Sequence, residues 1–182
     1  MSKCYRQLLL ILIILVVATP QIVAAASKEE IEIRVDATID VFNQRVKEGR
    51  EFLERAKGIL VFPNIVKAGF IIGAEFGEGA LRIKGKTVDY YRTTGASFGL
   101  QVGAQTKSII IVFLEDEALR KFRTSAGWEA GVDGSIALVG TGTGGSIDST
   151  NVSDPIIAFA FGNKGLMLNL TLEGSKYTRI KK

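Results

Sequence analysis

Apolar residues recur along this chain in three patterns, and each marks a different kind of segment. Residues 8–17 form an unbroken apolar run. Over 28–57 the spacing is helical: Ile31, Val35, Ile39, Phe42 and Val46 follow at intervals of four, four, three and four, which aligns them on one helix face. Glu29, Glu30 and Glu32 fall in the first turn, where the helix dipole favours acids. Gly49 is placed to bend or split this helix, and Phe52, Leu53 and Ala56 continue an apolar face beyond it. From Gly58 onward the period is two and strand formers dominate. The alternation predicts strands near 58–62, 68–76, 79–84, 86–92, 96–105, 108–114, 128–139, 156–161, 165–173 and 176–180. Gly85, between Lys84 and Lys86, reads as a hairpin turn, as does the step through Asn163, Lys164 and Gly165. After Ser108 the residues to 114 are all apolar, as a strand buried on both faces requires. Helical spacing returns over 115–124, with Ala118, Leu119 and Phe122 inward and Arg120, Lys121 and Arg123 outward.

Nineteen of the 20 glycines lie in the period-two region, and several are four residues apart. Gly69, Gly73 and Gly77 form one series, Gly95, Gly99 and Gly103 a second, and Gly127 and Gly131 a third. Residues four apart in a strand share a face. Several strands therefore carry one apolar face and one face of glycine with Ser97, Gln101, Glu129 or Asp133. Interior glycines weaken a strand and ask for a reason, which is either strong coiling of the sheet or close approach of another backbone, a helix or a ligand. Structural packing is the favoured reason.

These patterns predict an α+β domain. An N-terminal amphipathic helix packs on a strongly coiled, barrel-like antiparallel β-sheet, with one further short helix. Residues 27–57 supply the helical segment and 58–182 the Gly-rich β region of the same domain. The stripe of Ile31, Val35, Ile39 and Phe42 has two possible uses: packing on the domain's own sheet, or contact with a membrane.

The first apolar run has its own meaning. Lys3 and Arg6 precede it, Thr19 and Pro20 break it, and Ala24, Ala25 and Ala26 follow with small side chains. That order is a cleavable secretory signal over 1–26, and the run is too short to span a bilayer, which takes about 20 apolar residues. Cys4 precedes the run, where a lipid-modified cysteine would follow it, so no lipid anchor is expected. The expected mature protein, 182 residues less the 26 of the leader, is exported to the periplasm or cell envelope. Its net charge falls from +4 to +2, because the leader holds two basic residues and no acid. Such a mild charge argues against nucleic acid as a partner.

Composition then narrows the chemistry. The chain has no His, and its only Cys is Cys4 in the leader. The mature protein therefore has no disulfide, no imidazole base, no thiol nucleophile and no soft metal ligand, which excludes a Ser-His-Asp triad. No metal or cofactor is expected. Gly140, Gly142 and Gly145 match the spacing of a dinucleotide loop, but the polar stretch that follows is not a helix. The carboxylate pairs Glu75 with Glu78, Glu115 with Glu117, and Glu129 with Asp133 are the candidates for glycoside hydrolysis. Exposed acids of this number are ordinary, and no enzyme activity is expected. The basic residues point elsewhere. Lys57, Lys67, Arg92, Lys107, Arg120, Lys121 and Arg123 are the candidate lipid-binding cations, several of them at strand ends, and Tyr90 and Tyr91 set amphipathic rings beside Arg92.

Four segments in order resemble one family. Ala56, Lys57 and Gly58 lead into an apolar strand. Val66, Lys67, Ala68, Gly69 and Phe70 follow, then Gly73. The run from Ser97 through Gly99 and Gln101 to Gly103 resembles its G-x-Q-x-G strand. Lys164, Gly165 and Leu166, with Leu172, Glu173 and Gly174, resemble its closing segment. The chain is identified on these motifs as a SYLF, or Ysc84-type, domain over roughly 28–182. It departs from the family at Tyr90, Tyr91, Arg92 and Thr93, where many members have W-S-x-P. The resemblance implies a non-enzymatic lipid-binding domain with affinity for anionic phospholipids and phosphoinositides, using an N-terminal amphipathic helix and basic residues. Some relatives bind actin, an unlikely partner for an exported bacterial member. The competing expectations are an envelope structural or adhesion module that binds a protein partner, a small outer-membrane β-barrel, and a carboxylate hydrolase.

Overall fold

The computed structural model describes residues 26–46, 49–69, 72–98, 105–139, 154–162, 165–166 and 172–182. The leader run, the glycines at 99, 103, 140, 142 and 145, Gln101, and the Asn163–Lys164 turn lie outside these residues.

Three helices and nine strands are described. Helix α1 (Lys28–Arg45) starts at Ser27, whose hydroxyl accepts a hydrogen bond from the Glu30 amide at 3.1 Å. Helix α2 (Gly49–Arg55) follows. Gly49 is what allows the break, because a Cβ there would overlap the Phe42 ring and Val46. Strands β1 (Gly58–Gly69), β2 (Ile72–Ile83), β3 (Lys86–Phe98) and β4 (Gln105–Phe113) form an antiparallel meander. Helix α3 (Asp116–Thr124) comes next, then β5 (Trp128–Glu129), β6 (Ala137–Leu138), β7 (Ile156–Gly162), β8 (Gly165–Leu166) and β9 (Lys176–Ile180). The sheet order is β5-β9-β3-β2-β1-β4-β7-β6, with β8 also on β7, and the sheet curls into a half-barrel. The α+β prediction holds, with one exception to antiparallel pairing: β6 runs parallel to β7.

The predicted strands differ from the observed ones for identifiable reasons. The chain through Pro63 stays in β1 because a bulge between Val61 and Asn64 takes up the residue that cannot donate to a ladder. Gly77 and Gly79 do not end strands; they sit opposite that bulge. A Cβ on Gly77 would come within 2.9 Å of the Asn64 carbonyl, and one on Gly79 would run into the Val61 carbonyl. Gly95 likewise lies under Ser175. The glycine face therefore serves close backbone approach at Gly77 and Gly79, and makes room for the Ser175 hydroxyl at Gly95. The predicted strand 128–139 breaks into β5 and β6 around Gly131, whose φ of 87° no strand adopts. Glu129 and Asp133 thus do not share a strand face. Asp133 instead accepts the Glu129 amide at 2.7 Å inside the turn.

The sheet packs a helix on each face. On one face α1 and α2 cover Val61, Ala80, Ile110, Val112, Ile157 and Phe159. Phe42 makes an edge contact with Phe159 at 4.9 Å between ring centroids, and Phe52 another at 5.5 Å. On the opposite face α3 lays Leu119 and Phe122 on Leu60, Leu81, Tyr91 and Phe113. Phe122 lies 4.9 Å from both Tyr91 and Phe113. The α1 stripe is therefore internal: Ile31, Val35 and Phe42 are at most 2% exposed and Ile39 is half-buried against them. This corrects the expectation of a membrane-contact stripe at Ile31, Val35, Ile39 and Phe42. The apolar surface that they seek is the domain's own sheet.

Candidate functional site

Acids on α1 fix the helix to the sheet. Glu32 accepts from the Tyr90 hydroxyl, from Thr87 at 2.9 Å and from Arg82 at 3.0 Å, and Arg82 also reaches Asp36. Burial alone would raise the Glu32 pKa, but the hydrogen bonds from Tyr90, Arg82 and Thr87 outweigh it and hold the carboxyl below its usual 4.5. Burial and the Glu32 carboxylate push the Tyr90 phenol up to about 12. With Glu32 and Asp36 engaged in this way, α1 sets Arg34 and Arg45 along a groove.

That groove, of about 300 Å³, lies between α1, the bulge of β1 and the ends of β4 and β7. Arg34, Thr38, Val41 and Arg45 line the helix side, and Asn64 and Ser108 belong to the strand side. No acidic residue lines it among the described residues. Arg34 has Glu30 one turn back at 2.5 Å. Arg45 has no carboxylate partner among the described residues; its guanidinium donates to the Gly162 carbonyl at 3.0 Å. Thr38 and Ser108 turn their hydroxyl protons onto backbone carbonyls of Arg34 and Pro63, both at 2.7 Å.

Past the groove the sheet extends beyond the cover of α1, in two registered rows. The first is polar: Asn64, Glu78, Arg92 and Thr178 stand side by side across β1, β2, β3 and β9. Arg92 pairs with Glu78 at 3.2 Å, and Lys182 closes on the same carboxylate at 2.7 Å. Burial would raise the Glu78 pKa, but the bonds from Lys182 and Arg92 hold it low. The second row, two residues on, is Thr106, Val66, Phe76 and Thr94 across β4, β1, β2 and β3. All four are exposed, Val66 at 40% and Phe76 at 41%, and Ala74 and Ala96 beyond them are exposed as well. Arg92 lies over the Phe76 ring, 5.3 Å from its centroid. A shelf with apolar side chains and a cation at its inner edge thus borders the arginine groove.

The seven basic residues singled out in the sequence do not converge. Arg92 stands at the shelf. Lys107 belongs to the groove lining, but its side chain is on the inner side of the strands, 7% exposed and paired with Glu75 at 2.7 Å. Burial depresses its pKa and the Glu75 carboxylate partly restores it. This corrects its reading as a rim cation: the curl of the sheet encloses that face. Lys67 lies on the same inner side as Lys107, half-buried and in register with Glu75. The other four gather around α3. Arg120 and Lys121 share Glu117, Arg123 pairs with Asp89 at 3.3 Å, and Lys57 lies 3.9 Å from Asp116. Arg179 joins Asp89 at 3.4 Å. Arg34 and Arg45 are not among the seven, since both lie on the helix and not in the basic β region. Their separation of eleven residues, about three helical turns, was the available signal, since it sets both on one flank of α1.

The carboxylate pairs are also dispersed. Glu75 and Glu78 point to opposite faces of β2, and each is held in an ion pair. Glu115 and Glu117 are exposed around the start of α3. Among the described residues no three His, Cys, Asp or Glu are placed to hold a metal, and no helix is long and apolar enough to cross a membrane. The arrangement offers a cationic groove and an amphipathic shelf, both suited to binding.

The chain was compared with known protein families. Residues 94–182, from the middle of β3 to Lys182, match the model described as Ysc84, Las17-binding protein actin regulator. No curated protein matches the chain.

Proposed function

As this chain belongs to the SYLF, or Ysc84-type, family, whose members bind lipids and actin, we propose that it is an exported, non-enzymatic protein that docks peripherally on anionic membrane lipid. The observation that carries this reading is the exposed row of Val66 and Phe76, with Arg92 over the Phe76 ring and the arginine groove beside it. A shallow apolar surface bordered by cations suits the headgroup boundary, where each nearby Lys or Arg contributes about 1 kcal/mol against an anionic leaflet. The leader pattern over 1–26 supports export to the periplasm or cell envelope. Actin regulation, which the family description carries, does not extend to that compartment. Export also removes Cys4 and leaves a chain without His, which favours binding over catalysis.

Vesicle flotation of the purified protein tests the reading. Recovery with phosphatidylglycerol vesicles should exceed recovery with phosphatidylcholine vesicles and fall as salt rises. Phe76→Ser should lower recovery on the anionic vesicles without unfolding the protein. Equal recovery on neutral and anionic vesicles, independent of salt, would sink the electrostatic part.

A further inference from the structure

We infer that the groove along α1 recognises a headgroup bearing two phosphates, one held by Arg34 and the other by Arg45. This rests on the lipid-binding reading above and adds a stereochemical preference to it. The shape of the groove carries the argument. Its two arginines stand three turns apart on one helix flank, a separation of about 16 Å along the axis. A single phosphate is too small to engage both in full. Two phosphates joined by a short polar spacer reach both, because the side chains can lean toward each other. Between the arginines the helix presents Ala37, Thr38 and Val41, and the strand side brings Asn64, Thr106 and Ser108. Lys107 also belongs to the lining, with its ammonium engaged by Glu75, so the middle of the groove is small and rich in hydroxyls, as a glycerol or sugar spacer requires. The lining contains no carboxylate among the described residues, although Glu30 pairs with Arg34 at 2.5 Å and must give way to a phosphate there. Each guanidinium offers a planar fork suited to phosphate oxygens. Arg45, which donates to the Gly162 carbonyl and has no described acid partner, is free to exchange that neutral acceptor for a phosphate.

The α3 side makes a useful contrast, since it holds more cations than the groove. Arg120 and Lys121 close on Glu117, and Arg123 and Arg179 close on Asp89. A ligand there must displace a carboxylate from every one of these cations, whereas of the two groove arginines only Arg34 has one, Glu30, to give up.

Vesicles of matched charge separate recognition from bulk attraction. Phosphatidylcholine vesicles carrying 20 mol% phosphatidylglycerol are compared with vesicles carrying 10 mol% diphosphatidylglycerol, so that the phosphate content is equal. The expected result is about tenfold tighter binding to the second, the worth of one added charge-assisted contact. Arg34→Gln and Arg45→Gln should each abolish the preference while retaining residual binding to both vesicles. Arg45→Lys, which keeps the charge and loses the fork, should reduce it. Circular dichroism and thermal melting should be unchanged in all three, because both side chains lie at the surface. Calorimetry with glycerol 1,3-bisphosphate and glycerol 3-phosphate separates a lipid from a free phosphate ester. If the soluble bisphosphate binds about tenfold better and neither vesicle binds, the two-phosphate site stands and the membrane reading falls. If both vesicles bind equally and the arginine variants weaken both alike, the membrane reading stands and the two-phosphate site falls.

Discussion

Helices α1 and α3 pack on opposite faces of one sheet, and their charges are handled in opposite ways. On α1 the acids Glu32 and Asp36 reach down to Arg82, Thr87 and Tyr90, so the negative charge joins the helix to the sheet. The cations Arg34 and Arg45 stand along a groove whose lining contains no acid among the described residues; Arg34 pairs with Glu30, and Arg45 has no described carboxylate partner. On α3 the cations close on Glu117 and Asp89. A tally of basic residues therefore points to α3, whereas the disposition of the acids points to α1. What locates an anion site is where the carboxylates are engaged.

The comparison can be broken most severely through its two aromatic anchors. Phe42→Ala and Phe122→Ala each remove a fully buried ring and should each cost about 3–5 kcal/mol, read as a lower urea midpoint. Under conditions where both variants stay folded, only Phe42→Ala should weaken vesicle binding. Equal weakening in the two would show that α1 has no special part.

The buried pair on the inner face comes next. Lys107→Met leaves the Glu75 carboxylate enclosed without its partner and should destabilise by about 3–5 kcal/mol. The double variant Lys107→Met, Glu75→Leu should recover most of that loss. A Lys107→Met protein of unchanged stability but poor lipid binding would restore Lys107 as a contact residue.

A smaller effect tests the α1 anchor. The folded pKa of Glu32 lies below its usual value, so its contribution is fully present above the unfolded pKa near 4.5 and is lost as pH falls through the folded value. Glu32→Gln should therefore lower stability at pH 7 by about 1–3 kcal/mol. Its urea midpoints should converge with those of the parent protein in acid. A constant gap across pH would assign the loss to packing instead.

The smallest change is expected on α3. Replacing Arg120, Lys121 and Arg123 together by Gln should leave vesicle recovery within about twofold, because these exposed cations already share carboxylates and are screened. A tenfold loss would move the membrane face to the other side of the sheet.

Much of this architecture was legible in the residues. The stripe of Ile31, Val35 and Phe42 gave α1, Ala118, Leu119 and Phe122 gave α3, and the alternation in 176–180 gave β9. What the stripe leaves open is its partner, because a sheet and a membrane offer the same apolar surface to Phe42. The bulge at Pro63 was hidden for a related reason: the glycines that admit it, Gly77 and Gly79, are fourteen and sixteen residues away and meet it only across the strand pair. The inward turn of Lys107 depends on the curl of the whole sheet. The shelf is a cross-strand object as well. Val66 and Phe76 are unremarkable singly and become a surface only through their register.

The hold of Lys182 on both the Ala26 carbonyl and Glu78 brings the two ends of the described domain together. A short linker from Lys182 to Ala26 would close the chain into a ring at little cost in strain, so new termini opened at the Gly85 turn should give a circular permutant that folds. The same adjacency gives the domain a polarity. Ala26 and the Lys182 side chain thus both lie by Glu78 and Arg92, in the polar row beside the shelf. A fluorophore or fusion partner placed there would crowd that surface, whereas one inserted at Gly85 would leave it clear.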